Sequence, residues 1–190
     1  MPETLGELLQ ALRAADSASE KDQKDQLVDA IEALVADDPE GSREAILAHA
    51  GDEQMRVWAL GLVGDPADFD LIAAALDDPE LRYTALEALA SQPDAGRVDD
   101  VARSLLDDPE PMVRSKAAGI VAFRARPGAL AALLPLAEDP AAQVRMLIGW
   151  HLGGLGDPAA EPALRTLLED PDEQVREFAA HGLARIVPQP

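Results

Sequence analysis

Cysteine is absent from the 190-residue chain, and histidine occurs only three times. Disulfides, catalytic thiolates and cysteine-ligated zinc are therefore excluded. His49, His151 and His181 form no H-x-x-x-H or H-E-x-x-H pair, so a zinc site would need ligands from distant parts of the chain. No G-x-S-x-G, P-loop or G-x-G-x-x-G motif follows a strand pattern. We therefore expect no enzyme activity, no metal and no cofactor.

Positive charge is also scarce, because 36 Asp and Glu stand against 16 Lys and Arg, giving a formal net charge of -20. Such a polyanion is repelled by nucleic acid and by anionic membranes, so neither is an expected ligand, whereas a basic protein is favoured. The N-terminus has no signal-peptide pattern and no apolar run reaches about 18 residues. We expect a cytoplasmic protein. The alternative reading of the acidity is simple solvation in a high-GC or salt-adapted source.

What the chain has in abundance is a repeat of one short pattern. Five arginines recur at separations of 26, 32, 31 and 31 residues: Arg56, Arg82, Arg114, Arg145 and Arg176. Before each of the last three, an Ala/Leu-rich stretch ends in an Asp-Pro turn, at Asp108, Asp139 and Asp170. Asp suits a helix N-cap and Pro its first turn, so each Asp-Pro pair is predicted to end one helix and start the next. G-D-P at 64–66 and 156–158 is predicted to separate units.

The second stretch of each unit has an apolar face. Positions −1, +3, +4 and +7 from the arginine fall on one side of a helix and are mostly apolar. They are Met55, Ala59, Leu60 and Val63; Val113, Ala117, Ala118 and Val121; and Val175, Ala179, Ala180 and Leu183. One helix pair cannot bury such a face alone, so the units are predicted to stack, with their second helices lining one surface.

The pattern D-P-x-x-x-V-R-x-x-A-A-x-x-L resembles the HEAT repeat, in particular the short bacterial type of the phycobilisome lyases. The likeness is close over residues 94–187 and looser over 42–92. It implies an all-α, right-handed α-solenoid of about five helix pairs. We expect a single domain, with residues 1–40 as an irregular helical cap, 42–187 as repeats and 188–190 as a tail.

A feature that occurs once in every repeat is more typical of structure than of catalysis. The arginines are therefore predicted to form a ladder, in which each guanidinium reaches back to turn carboxylates and backbone carbonyls of its own or the adjacent unit.

Large side chains break the pattern at positions +2 and +5, which lie roughly opposite the apolar face. We predict that a partner binds there, on the concave second-helix face. The candidate residues are Trp58, Glu87, Leu147, Trp150, Glu177, Phe178 and His181. The alternative is that the large residues pack against neighbouring helices or into spaces left by Gly61, Gly149 and Gly182.

The function favoured by these observations is a non-catalytic scaffold or adaptor that binds a basic protein, presented as a helix or an extended peptide. One alternative is an inhibitor, immunity-type or DNA-mimic protein that blocks a basic partner. A further alternative is an enzyme or enzyme accessory related to bilin lyases or to HEAT-like DNA glycosylases, although no residue set transfers from either.

Overall fold

The computed structural model describes residues 4–15, 21–48, 52–125 and 127–186, so His49 and the tail at 188–190 lie outside it. Within these ranges the chain forms twelve α-helices and no strand, which confirms the predicted all-α fold. The helices are Leu5–Ala14 (α1), Lys21–Asp37 (α2), Pro39–Ala48 (α3), Glu53–Val63 (α4), Phe69–Ala74 (α5), Arg82–Ala90 (α6), Ala95–Ser104 (α7), Pro111–Arg124 (α8), Ala129–Leu133 (α9), Ala142–Leu155 (α10), Glu161–Leu167 (α11) and Glu173–Ile186 (α12). Short 3-10 helices cover Pro66–Asp68, Ala75–Asp77, Leu134–Glu138 and Pro158–Ala160.

The helices divide into two compact units, Met1–Pro93 and Asp94–Pro190. In the first unit α1 pairs with α2, α3 with α4, and α5 with α6. In the second unit α8 packs on α7 and α10, and α12 packs on α10 and α11. The second helices that carry the five repeated arginines are thus α4, α6, α8, α10 and α12. The first of these repeats begins with α3 at Pro39, three residues ahead of the predicted start at 42.

The two G-D-P connectors adopt the predicted structure. Gly64 and Gly156 end α4 and α10 in the left-handed conformation, with φ of 67° and 69°. Such φ values favour glycine because it has no Cβ to clash. Asp65 and Asp157 then cap the following 3-10 helices by accepting the N–H of the residue two positions on. The connector therefore ends one helix and begins the next within three residues.

The Asp-Pro turns differ from the prediction. Helix α8 begins at Pro111 and α10 at Ala142, two residues after the prolines that were expected to open them. The carboxylates of Asp108 and Asp139 accept the N–H of the residue two positions on, each at 2.8 Å, and so close a tight turn ahead of the helix. The prolines lie inside this turn and not in the first helical turn.

The predicted apolar face is largely the buried one. All four predicted positions of α8 are buried, as are Ala59 and Leu60 of α4 and Val175 and Ala179 of α12. The prediction is wrong at Ala180, which is exposed. No helix follows α12 in the described part of the chain.

Glycines allow some second helices to approach closely. A Cβ on Gly153 of α10 would overlap the Cα of Gly182 in α12 and lie 2.7 Å from its carbonyl oxygen. A Cβ on Gly61 of α4 would lie 2.6 Å from the Cα of Ala88 in α6. The spaces beside Gly61, Gly149 and Gly182 are thus filled by atoms of the adjacent helix, mostly its backbone, and not by aromatic rings.

Candidate functional site

The regular spacing of the arginines produces a ladder of ion pairs within the second unit. Arg114 donates from Nε and Nη2 to the two carboxylate oxygens of Asp139, 25 residues on, at 2.7 and 2.8 Å. Its Nη1 donates to the carbonyl of Asp108 in its own turn at 2.7 Å. Arg145 repeats this arrangement with Asp170, at 2.7 and 2.9 Å, and with the carbonyl of Asp139 at 2.8 Å. The ladder prediction is confirmed at both positions.

The ladder carboxylates are held in their charged form. Burial raises the pKa of Asp139, but hydrogen bonds from Arg114 and from the N–H of Ala141 outweigh burial and leave the pKa below its ordinary value. The hydrogen bond from Arg145 likewise lowers the pKa of Asp170, whose side chain is only 7% exposed. These carboxylates are structural ion-pair partners of Arg114 and Arg145.

The other three repeated arginines also contact groups of their own turn or helix. Arg176 reaches the carbonyl of Asp170 at 2.8 Å, and Arg82 reaches that of Leu76 at 3.0 Å. Arg56 instead binds Glu53 in its own helix. Helix α4 begins at Glu53, directly after its cap, so no Asp-Pro turn lies within reach.

Sequence reasoning missed a third link of the same kind. Arg43 of α3 donates to both carboxylate oxygens of Asp68 at 2.6 and 2.8 Å, and Asp68 is 1% exposed. The separation of 25 residues equals that of the Arg114–Asp139 pair, which is the signal that would have found it.

A hollow of about 470 Å³ opens among α1, α2, α4 and α6 of the first unit. Its lining combines apolar, aromatic and acidic side chains. The residues are Leu12, Val28, Glu32, Asp52, Gln54, Met55, Trp58, Tyr83, Thr84 and Glu87. Two of the predicted site residues, Trp58 and Glu87, therefore lie in one concave site, and we call it the acidic hollow.

Local contacts hold the wall of the acidic hollow in place. Asp52 caps α4 by accepting the N–H groups of Gln54 and Met55, and Arg13 approaches it at 3.6 Å. The amide of Gln54 donates to the hydroxyl of Thr84 at 3.1 Å and so joins α4 to α6. Trp58 is half-buried and Tyr83 is 36% exposed, so both rings remain partly accessible to a ligand.

The other predicted residues belong to the second unit. Trp150 of α10, 44% exposed, meets Phe178 of α12 edge-on, with ring centroids 6.2 Å apart and an interplanar angle of 61°. The guanidinium of Arg185 lies 5.2 Å from the centroid of a Trp150 ring. Leu147 and Phe178 are half-buried, whereas Glu177 and His181 are exposed.

The structure thus pairs Trp58 with Glu87 in one unit and Trp150 with Phe178 in the other. Reasoning from positions +2 and +5 missed Glu32 and Asp52, which belong to the cap and to a helix start, and Tyr83, which is at +1. It also missed Arg185, at +9 from Arg176. These residues lie outside the repeat positions that were compared, and no signal in the repeat pattern marks them.

The negative charge is concentrated in the unit that contains the acidic hollow. Residues 1–93 contain 21 Asp and Glu against 6 Lys and Arg, whereas residues 94–190 contain 15 against 10. A cation approaching the chain is therefore drawn mainly toward the first unit. This uneven distribution of charge is visible in the sequence, but a net charge calculated for the whole chain does not show it.

In the described ranges no group of three His, Asp or Glu side chains has metal-binding geometry. None of the helices in that part of the chain is both long and apolar enough to cross a membrane.

Several solved repeat structures resemble this chain over nearly its whole length. A designed armadillo repeat protein in complex with the peptide (KR)4 matches 97% of this chain and 100% of its own, at 18% identity and a TM-score of 0.63. A second designed armadillo repeat protein matches 97% and 100%, at 17% identity and a TM-score of 0.57. An engineered protein matches 98% and 97%, at 16% identity and a TM-score of 0.55. These identities support the fold alone.

No curated protein sequence matches the chain. The sequence model of HEAT repeats matches residues 69–147 and 130–190, which together make up more than half of the protein. With the helix pairs, the arginine ladder and the repeat spacing all in agreement with that match, the chain belongs to the HEAT repeat family.

Proposed function

We propose that this protein is a non-catalytic scaffold that binds a basic segment of another protein through its second helices. The observation that carries the proposal is the position of the acidic hollow, in the half of the chain with 21 acidic and 6 basic residues. On this proposal Trp58 and Glu87 serve in the first unit. In the second unit the binding residues are Leu147, Trp150, Glu177, Phe178 and His181.

The resemblance to a designed armadillo repeat protein supports this choice of partner. That protein was solved in complex with the peptide (KR)4, so a chain of stacked helices of this kind can hold a basic peptide. The present chain has a formal net charge of -20, which supplies the complementary field. Carboxylates at the rim would raise the association rate, and the aromatic side chains would slow dissociation.

The test is a titration of the whole protein with the (KR)4 peptide, in which binding is measured by calorimetry or fluorescence anisotropy. A peptide of the same length with every Lys and Arg replaced by Gln is the matched control. We expect saturable binding of the basic peptide only, with a dissociation constant that rises about tenfold or more between about 50 and about 300 mM salt, because screening weakens the attraction. Equal binding of the Gln peptide, or no binding of either, would contradict the proposal.

A further inference from the structure

We infer that the acidic hollow of the first unit receives the guanidinium of one arginine side chain from the bound basic segment. This inference rests on the proposed function, and it adds the identity of the recognised group and the place where it binds.

The size of the hollow suits a single long side chain. Its volume of about 470 Å³ lies in the lower part of the range of about 300 to 1,000 Å³ that is typical of small-molecule pockets. Four helices contribute residues to the wall of this open hollow. The hollow therefore has room for an arginine side chain of the partner.

The apolar part of the lining matches the stem of such a side chain. Leu12, Val28 and Met55 are all half-buried and come from α1, α2 and α4. An arginine can bury its three methylene groups against these residues while its charged end stays near the carboxylates.

The aromatic and acidic parts match the guanidinium. Trp58 and Tyr83 line the hollow, and a planar guanidinium stacks on an aromatic ring better than an ammonium does. Glu32, Asp52 and Glu87 bring carboxylates from α2, from the start of α4 and from α6. Arg13 already approaches Asp52 at 3.6 Å, so that carboxylate is shared with the protein's own cation.

The second unit contains a tryptophan in contact with an arginine of the same chain. There the guanidinium of Arg185 lies over Trp150, at 5.2 Å from the ring centroid. A tryptophan of this protein therefore contacts a guanidinium in the folded state. Trp58 lies in the more acidic unit, among three carboxylates, and is the tryptophan where an arginine from outside has a place.

The experiment compares the (KR)4 peptide with an octalysine peptide on four whole-length proteins. These are the unmodified protein, Trp58→Leu, Glu87→Gln, and the control Glu40→Gln. Glu40 is an exposed residue of α3 outside the hollow, so its replacement removes one charge and leaves the hollow intact. Thermal melting of each protein establishes that it is folded.

We expect the unmodified protein to bind (KR)4 about tenfold more tightly than octalysine, since a guanidinium stacks on aromatic rings and pairs with carboxylates in a fork. Trp58→Leu should weaken (KR)4 binding by about tenfold and abolish the preference over octalysine. Glu87→Gln should weaken (KR)4 binding about threefold to tenfold, and Glu40→Gln by less than about twofold.

The outcomes separate this inference from the proposed function. If the unmodified protein binds neither peptide, both fail. If it binds (KR)4 but Trp58→Leu keeps the same affinity and the same preference, the scaffold function stands and the arginine site is refuted. Equal affinity for the two peptides in the unmodified protein also refutes it.

A second measurement covers the case in which Trp58→Leu does not fold. The tryptophan emission of the unmodified protein minus that of a Trp58→Phe protein, which keeps an aromatic ring at this position, reports Trp58 alone, and this difference should change on saturation with (KR)4 more than with octalysine. Unchanged emission at saturation overturns the inference.

Discussion

Replacing Gly153 with alanine is expected to destabilise the second unit by about 2 kcal/mol. The added Cβ would overlap the Cα of Gly182 and lie 2.7 Å from its carbonyl oxygen, so α10 and α12 must separate by about 1 Å. Overpacking of this kind costs up to about 3 kcal/mol, and more where backbone must move. The gain in helix propensity from glycine to alanine, about 1 kcal/mol, offsets part of that cost.

The neighbouring glycine supplies a matched control. Gly154 lies in the same helix and is exposed, and an added Cβ would have no atom within 4 Å. Only the propensity gain applies, so Gly154→Ala should stabilise the protein by about 0.5 to 1 kcal/mol. Two adjacent, chemically identical substitutions are thus expected to have opposite signs.

Urea unfolding and thermal melting, both followed by far-ultraviolet circular dichroism, measure this difference. For a unit of this size, Gly153→Ala should lower the melting temperature by about 8 °C or more, and Gly154→Ala should raise it by about 2 to 6 °C. A Gly153→Ala protein at least as stable as Gly154→Ala would show that the two helices do not approach as closely as described.

Three further predictions concern the second unit. Arg145→Ala removes both hydrogen bonds to the carboxylate of Asp170 and leaves that buried charge without Arg145. The free energy of unfolding in urea should fall by about 3 kcal/mol, while (KR)4 binding stays unchanged. The double variant with Asp170→Asn should recover part of that loss. Folding lowers the pKa of Asp170, so the stabilisation from its charged form is present above the unfolded pKa of about 3.9 and is lost as pH falls through the folded pKa. Asp170→Asn has no such carboxylate. Between about pH 5 and about pH 3 its urea midpoint should therefore fall less than that of the unmodified protein. Ala125 ends α8 with φ of 46°, so Ala125→Gly should raise the free energy of unfolding by about 0.5 to 1 kcal/mol, and a lower urea midpoint would contradict the left-handed conformation.

Much of the fold could be predicted from the sequence, because the same spacing of arginine, aspartate and apolar residues occurs in several repeats. The ladder at Arg114 and Arg145 followed from the regular spacing of arginine and aspartate, and the helix ends at Gly64 and Gly156 followed from the need for a positive φ. The helix starts were misjudged because the carboxylate of Asp139 closes a turn and holds Arg114 instead of capping α10.

The candidate site was less predictable because it depends on parts of the chain that do not repeat. Trp58 and Glu87 were identified from their helix positions, but Glu32 belongs to α2, in the predicted cap, where no repeat register exists. Phe123, which is 87% exposed, lies at +9 from its arginine, beyond the positions that were compared. Whether Trp150 was accessible could not be read from periodicity either, since Phe178 and Arg185 reach it from another helix.

The arginine ladder also bears on how such a chain can grow. Asp139 accepts the guanidinium of Arg114 from the preceding repeat, and Arg145, six residues later in the same repeat, donates to Asp170 in the next. A segment of 31 residues, the distance between these arginines, therefore carries both halves of the connection. If its coding sequence were duplicated in tandem, the arginine of each copy would meet the aspartate of the next copy. The new interface would then use the same ion pair as the existing one. The spacing of 31 residues holds from Arg114 to Arg176, so lengthening by whole repeats is favoured in the second unit.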